Sequence, residues 1–280
     1  MFTLIVLLVF IRAEAQRLKV TEKQRIERTF PMSSEKRFSR IMVDNIAGDI
    51  HADGYDGNEI RLVVEQNYRA ESEERLKEAK QEIVLQVEEQ GERLVLYVET
   101  PWRDQWGGRS RDRDFYGYDA RFDFQLKVPT KMMLYLKTVN EGEIDVKNVE
   151  GDFDFRNVNG GIRVNGIAGS GRMHTVNGPV EATFVKSPPS DCSFETVNGR
   201  IELEFPDDLA ADLRFKTFNG EVYTDFDVEG LSRQIKPAEN RKGRKVYSKD
   251  TWFGVRAGKG GPTYKFETLN GSIHILKNTR

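Results

Sequence analysis

Cys192-Ser193-Phe194-Glu195-Thr196-Val197-Asn198-Gly199-Arg200-Ile201-Glu202-Leu203 carries the pattern on which the fold turns. Apolar side chains alternate up to the Thr, a Thr-Val-Asn-Gly corner follows, and apolar side chains alternate again beyond it. The corner, or a near relative, occurs six times. It stands as Thr138-Val139-Asn140-Glu141-Gly142, Asn157-Val158-Asn159-Gly160 and Thr175-Val176-Asn177-Gly178. It returns as Thr196-Val197-Asn198-Gly199, Thr217-Phe218-Asn219-Gly220 and Thr268-Leu269-Asn270-Gly271. Successive Asn lie 19, 18, 21, 21 and 51 residues apart. Self-similarity at a near-constant period marks a repeat architecture, and the last interval holds an insertion.

The flanks repeat with the corners. Leu134/Leu136, Phe153/Phe155, Gly171/Met173, Cys192/Phe194, Leu213/Phe215 and Tyr264/Phe266 precede them. Ile162/Val164, Val180/Ala182, Ile201/Leu203, Val222/Thr224 and Ile273/Ile275 follow, with Ile144/Val146 shifted by one. Strands this short, each with one apolar face, are not stable alone. Stacked at the ~4.8 Å strand spacing, they would align equivalent side chains into ladders. The expectation is therefore an all-β chain, a parallel β-solenoid of ~20-residue units. Leu136, Phe155, Met173, Phe194, Phe215 and Phe266 would form one inward stack. Asn140, Asn159, Asn177, Asn198, Asn219 and Asn270 would form a structural corner ladder, bonding neighbouring backbone, with Gly at positive φ beside them. A meander of antiparallel hairpins competes, because Asn-Gly is the strongest short hairpin signal. Repetition of Thr and Asn together with Gly favours the stack, since a hairpin turn does not require them.

The same register reads single residues. The one cysteine, Cys192, excludes a disulfide framework and a Cys₄ zinc site. It falls on an inward column and reads as a small buried hydrophobe, not a nucleophile. His51, His174 and His274 form no metal-spaced cluster, so neither a metal nor another cofactor is expected. The outward column before the Thr reads Lys137, Arg156, His174, Glu195, Lys216, Glu267 in chain order. Mixed signs on adjacent units suit cross-strand pairs on a solvated face. Lys and Arg number 43 against 45 Asp and Glu, which makes the chain neither a polyanion nor a polycation.

Phe2 to Ile11 is apolar except for Thr3 and precedes Ala13-Glu14-Ala15, a small-x-small cleavage pattern. Residues 1–15 are expected to be a signal peptide. The product would be an exported protein, periplasmic, cell-surface or secreted, with no transmembrane segment after cleavage. Export and balanced charge argue against nucleic acid as a partner. Residues 16–130 are expected to form an N-terminal β-rich region and 131–280 the repeat region. Strand-like runs recur at Arg25–Phe30, Arg40–Asp44, Glu59–Tyr68, Glu82–Glu89, Arg93–Glu99 and Phe122–Val128. Asn45-Ile46-Ala47-Gly48-Asp49-Ile50-His51-Ala52 reads as a degenerate unit. A helix is expected near 71–81, covering an edge or end of the sheets, with Leu76, Ala79 and Ile83 on one side.

Two stretches fit no unit. The loop 101–121 holds Trp102, Trp106, Tyr116 and Tyr118 among Arg109, Arg111 and Arg113. Interleaved aromatics and Arg suit stacking on a sugar or on a protein surface; alternatively the aromatics fold back on the core. The insertion 230–261 contains Trp252 and nine Lys or Arg against Glu239 and Asp250. Its charge suits an anionic polymer or lipid headgroup, or simply a solvated hairpin. Trp102, Trp106, Arg109, Arg111, Arg113, Tyr116, Tyr118 and Trp252 are the candidate binding residues; no catalytic residue is assigned.

The repeated Thr-Val-Asn-Gly, with Gly48-Asp49, Gly151-Asp152 and Gly220-Glu221 ahead of alternating strands, resembles the bacterial putative-adhesin family DUF4097. The likeness is clearest over 132–277. It implies a β-solenoid, an exported or envelope protein with an adhesive role, and no catalytic residues to carry over. The function expected is thus a non-enzymatic binding or scaffold module whose partner is a cell-surface glycan or an envelope protein. Two alternatives stand beside it. One is a carbohydrate-active enzyme on an acidic polysaccharide, using Asp152/Asp154 or Asp112/Asp114. The other is an envelope stress-signalling accessory.

Overall fold

A computed structural model describes residues 18–33, 37–102, 116–231 and 252–278. Within them the chain is all-β with one helix. In chain order the strands begin β1 (Val20–Pro31), β2 (Arg40–Asp44), β3 (Ile50–Tyr55) and β4 (Glu59–Ala70). Helix α1 (Glu73–Glu82) comes next, then β5 (Val84–Gln90), β6 (Arg93–Glu99) and β7 (Tyr118–Pro129). The repeats supply β8 (Met133–Lys137), β9 (Ile144–Lys147), β10 (Phe153–Arg156), β11 (Ile162–Ile167), β12 (Gly171–His174) and β13 (Val180–Phe184). They continue as β14 (Cys192–Asn198), β15 (Ile201–Phe205), β16 (Ala211–Asn219) and β17 (Val222–Thr224). The last four are β18 (Val228–Gly230), β19 (Phe253–Ala257), β20 (Thr263–Asn270) and β21 (Ile273–Lys277).

The strands form two open sheets, here called A and B. Sheet A runs β1-β4-β7-β3-β9-β11-β13-β15-β21-β17, and sheet B runs β18-β19-β16-β20-β14-β12-β10-β8-β2-β6-β5. Each repeat puts its first strand in sheet B and its second in sheet A. Equivalent residues of adjacent repeats pair in parallel register, Phe155 with Leu136 and Met173 for example. The Asn45–Ala52 segment behaves as another unit: β2 and β3 pair in parallel with β8 and β9.

The sheets are mixed, which corrects the expectation of a purely parallel architecture. β1, β4 and β7 run antiparallel at one end of sheet A, and β5 and β6 pair antiparallel at one end of sheet B. β18 and β19 add an antiparallel flap to β16. For β5 and β6 the cause is local: they are joined by a two-residue turn at Gly91, φ +60°, which is too short for a parallel crossover.

A second correction concerns the order of units. The final repeat does not follow the fifth in space. β20 and β21 lie between β14/β15 and β16/β17, so Phe266 is flanked by Phe194 and Phe215. Ring centroids of Phe266 stand 5.4 Å from Phe194 and 5.0 Å from Phe215, both stacked. The expected inward column exists with its last two members exchanged. All of these Phe are essentially buried, each contributing on the order of 1.5–3 kcal/mol of apolar transfer.

The corners are built differently from the expectation. The Asn side chains bond one another, not the backbone. Asn219 donates to Asn270, Asn270 to Asn198, Asn198 to Asn177, Asn177 to Asn159 and Asn159 to Asn140, at 2.7–3.3 Å. The bond to backbone belongs to the Thr. Thr138, Thr175, Thr196, Thr268 and Thr217 each donate Oγ1–H to a corner Gly carbonyl of the adjacent unit, at 2.8–3.1 Å. Asn157 fills the Thr place in its repeat, its amide donating to Gly142 O at 2.8 Å. The corner Gly is set by crowding more than by φ, since Gly178, Gly199, Gly220 and Gly271 do not have positive φ. A Cβ on Gly199 would stand 1.9 Å from Gly178 O, and one on Gly271 1.9 Å from Gly199 O.

Helix α1 forms as expected, starting at Ser72, whose side chain accepts from Arg75 N at 3.3 Å. Leu76 and Ala79 are buried in the core cluster, and the helix packs on β4, β7 and β1 of sheet A.

Candidate functional site

With inward columns committed to the core, recognition falls to the outward columns. On sheet A they neutralise themselves. Arg163 pairs with Glu181 at 3.1 Å and also with Glu143, and Arg200 pairs with Glu181. Exposed pairs of this kind contribute about 0–1 kcal/mol each, so this face is a solvated surface.

Sheet B differs. An open groove crosses its outer face from Tyr135 through Asp154, Arg172, Ser193 and Lys265 to Trp252. The polar side chains stand on consecutive strands in one parallel register, so the sheet holds them on a rigid plane. Trp252 is 37% exposed, and Lys216 Nζ lies 6.0 Å from its ring. Asp154 accepts a two-point fork from Arg156, at 2.8 and 2.6 Å, and Asp152 accepts from Ser170 N at 3.0 Å. Asp152 and Asp154, the pair that the enzyme alternative would use, thus both have partners; its other pair, Asp112/Asp114, lies outside the described residues.

Beside the groove, His174 faces Glu195 at 3.3 Å. That contact, aided by the Ser193 hydroxyl, holds the Glu195 carboxyl down at about 2. Cys192 is 4% exposed at the groove floor, and burial pushes its thiol up to about 11. At neutral pH it is therefore a protonated thiol, as its inward register predicts. His274 stacks on Tyr223 at 4.8 Å on sheet A.

The candidate binding residues do not converge. Trp102, Tyr116 and Tyr118 cluster beside α1, with ring centroids 5.2–6.3 Å apart. Tyr118 is buried, its hydroxyl donating to Glu82; burial and then that bond raise its phenol. Trp102 and Tyr116 pack against the core, as in the fold-back alternative. Trp252 adjoins the opposite end of sheet B. Trp106, Arg109, Arg111 and Arg113 lie outside the described residues, as do the expected leader at 1–15 and most of the basic insertion. The groove residues Arg172, Ser193 and Lys265 were not singled out from sequence. Their common signal is an outward position two residues before the one preceding the corner Thr. Among the described residues no His, Cys, Asp and Glu group is placed to hold a metal ion. No described helix is long and apolar enough to cross a membrane.

No protein-family model and no curated protein matches the chain. Among solved structures it is similar to a putative cell adhesion protein from Clostridium sporogenes, 12% identical, over 91% of this chain and 100% of that one, TM-score 0.44. It is also similar to a putative adhesin from Bacteroides fragilis, 12% identical over 92% and 98% of the two chains, TM-score 0.28. A putative lipid binding protein from Parabacteroides distasonis is 13% identical over 91% and 97%, TM-score 0.27.

Proposed function

We propose that the chain is a non-enzymatic recognition module of the putative-adhesin kind that works outside the cytoplasm. Its body is a β-solenoid, and its ligand is an extended carbohydrate lying in the groove of sheet B. The observation that carries the reading is that groove, with hydrogen-bonding side chains on successive strands and an exposed indole at its end. A sugar ring offers an apolar C–H face that packs on indole and a rim of hydroxyls that pair with Asp, Arg, Ser and Lys. An indole with one wet edge suits such a boundary. An open groove admits a polymer from the side, and the strands pre-set the donors, which lowers the ordering cost of binding. The Asp154–Arg156 fork argues for recognition over hydrolysis, because it holds the carboxylate in an ion pair.

The reading is tested by a glycan array and by calorimetric titration of residues 16–280 with the best ligand. Trp252→Ala is expected to weaken binding at least tenfold, and Arg172→Ala together with Lys265→Ala to abolish it, with folding unchanged by circular dichroism. Binding that survives all three substitutions removes the groove from the account. Binding that needs Trp102 and Tyr116 instead moves the site to the α1 end.

A further inference from the structure

Outward side chains at the repeat corner form two parallel columns along the whole stack. One is apolar and runs from Ile46 through Val139, Val158, Val176 and Val197 to Leu269 and Phe218. Leu269 is 47% and Phe218 49% exposed. The other is charged, with Lys137 beside Asp44 at 3.4 Å and Lys216 beside Glu267 at 2.8 Å within the chain, and the strand registers fix its order in space. Asp44 lies beside Lys137, Lys137 beside Arg156 and Arg156 beside His174. His174 then lies beside Glu195, Glu195 beside Glu267 and Glu267 beside Lys216.

Reversed end for end, this column is its own electrostatic complement. Asp44 comes opposite Lys216, Lys137 opposite Glu267 and Arg156 opposite Glu195, with His174 at the centre. The reversal needs the spatial order: in chain order Lys216 precedes Glu267, and two of the three pairs become like-charged. A two-fold axis lying along the strands, through His174, produces this superposition when two copies meet face to face. It sets the charged column on the charged column and the apolar ridge on the apolar ridge. Val158 then meets Val197, Val176 meets its own copy, and the larger Phe218 and Leu269 meet Ile46 and Val139. An isologous contact of this kind closes at two subunits.

We infer that this corner is a self-association surface and that a second, antiparallel copy of the chain is its partner. The next outward column limits the contact to the corner, because the same axis would set Arg172 against Arg172. Six strand spacings make the strip about 29 Å long. A strip that narrow places the dimer in the weak, transient class of interfaces. Its charge pairs act on register and encounter more than on raw affinity, so added salt should loosen it. The inference does not rest on the carbohydrate reading, and its variants differ from those that test it.

Sedimentation velocity and multi-angle light scattering of residues 16–280, up to ~1 mM, read the outcome. A concentration-dependent dimer that weakens with salt is expected. Arg156→Glu and Glu195→Arg should each weaken it about tenfold, and the double swap should restore most of the loss. On one chain these residues stand two strands apart, about 9.6 Å, so rescue reports contact between copies. Val176→Arg, which places two cations on the axis, should abolish the dimer while circular dichroism and urea midpoints confirm the fold. A monomer at every concentration overturns the inference. So does a dimer indifferent to Val176→Arg, or one that the swap leaves as weak as the single variants.

Discussion

Gly199 and Gly230 have the same composition and opposite roles. A Cβ on Gly199 would stand 1.9 Å from the Gly178 carbonyl oxygen, whereas nothing lies within 4 Å of one on Gly230. Gly199→Ala must push neighbouring units away from each other at a corner where Thr196 Oγ1 also donates to that carbonyl at 2.9 Å. It is expected to cost at least about 2 kcal/mol, an overpacking penalty, while Gly230→Ala stays within about 0.5 kcal/mol; urea unfolding of both variants reads the difference. Glu195 gives the second prediction at this scale. Its folded carboxyl titrates at about 2, held down first by the His174 bond, against an ordinary 4.5. A depressed carboxyl stabilises the fold above the unfolded value and loses that contribution as pH falls through the window from about 4.5 to about 2. Glu195→Gln should flatten the urea midpoint against pH in that window, relative to the unsubstituted chain.

Among the elements, β20 and β21 do what no other unit does. Among the described residues β16 pairs only with β20 and the flap strand β19, and β17 only with β21. The C-terminal unit therefore supplies every ladder bond joining the fifth repeat to the stack. Truncation after residue 261 is expected to leave amides of 211–224 exchanging freely with deuterium while those of 134–184 stay protected. Equal protection in both segments would show that core contacts and the β19 flap hold β16 and β17 without the C-terminal unit. The repeat pattern made β16, β17, β20 and β21 legible in advance but not the flap strands β18 and β19, and α1 was legible from its charge spacing and apolar side. The antiparallel flanks were not: alternation such as that of Glu59–Tyr68 is the same in either strand direction. Direction depends on where the chain can return. The α1 end shows the same limit, since an aromatic–Arg composition suits a binding loop and a fold-back equally. Among the described residues Tyr118 is buried with its hydroxyl on Glu82, and Trp102 and Tyr116 pack against the core.

At the scale of the whole molecule, two sheets enclose one continuous core and leave their outer faces different. Both faces carry ion pairs, sheet B also offers the groove that ends on Trp252, and the corner between them offers a ridge and a self-complementary charge column. The period of the Thr-Val-Asn-Gly corners by itself determined which residues point inward, that the corners form ladders and that Cys192 is buried. It could do so because alternation along a strand and equivalence between repeats are local properties of the chain. Which repeat neighbours which was decided only by the tertiary structure. The shared corner pattern is common to all the units and does not rank their pairings, so the place of the last between the fourth and fifth is read only from the strand order. That one insertion puts Glu267 ahead of Lys216, and with it the corner column becomes complementary to its own reverse.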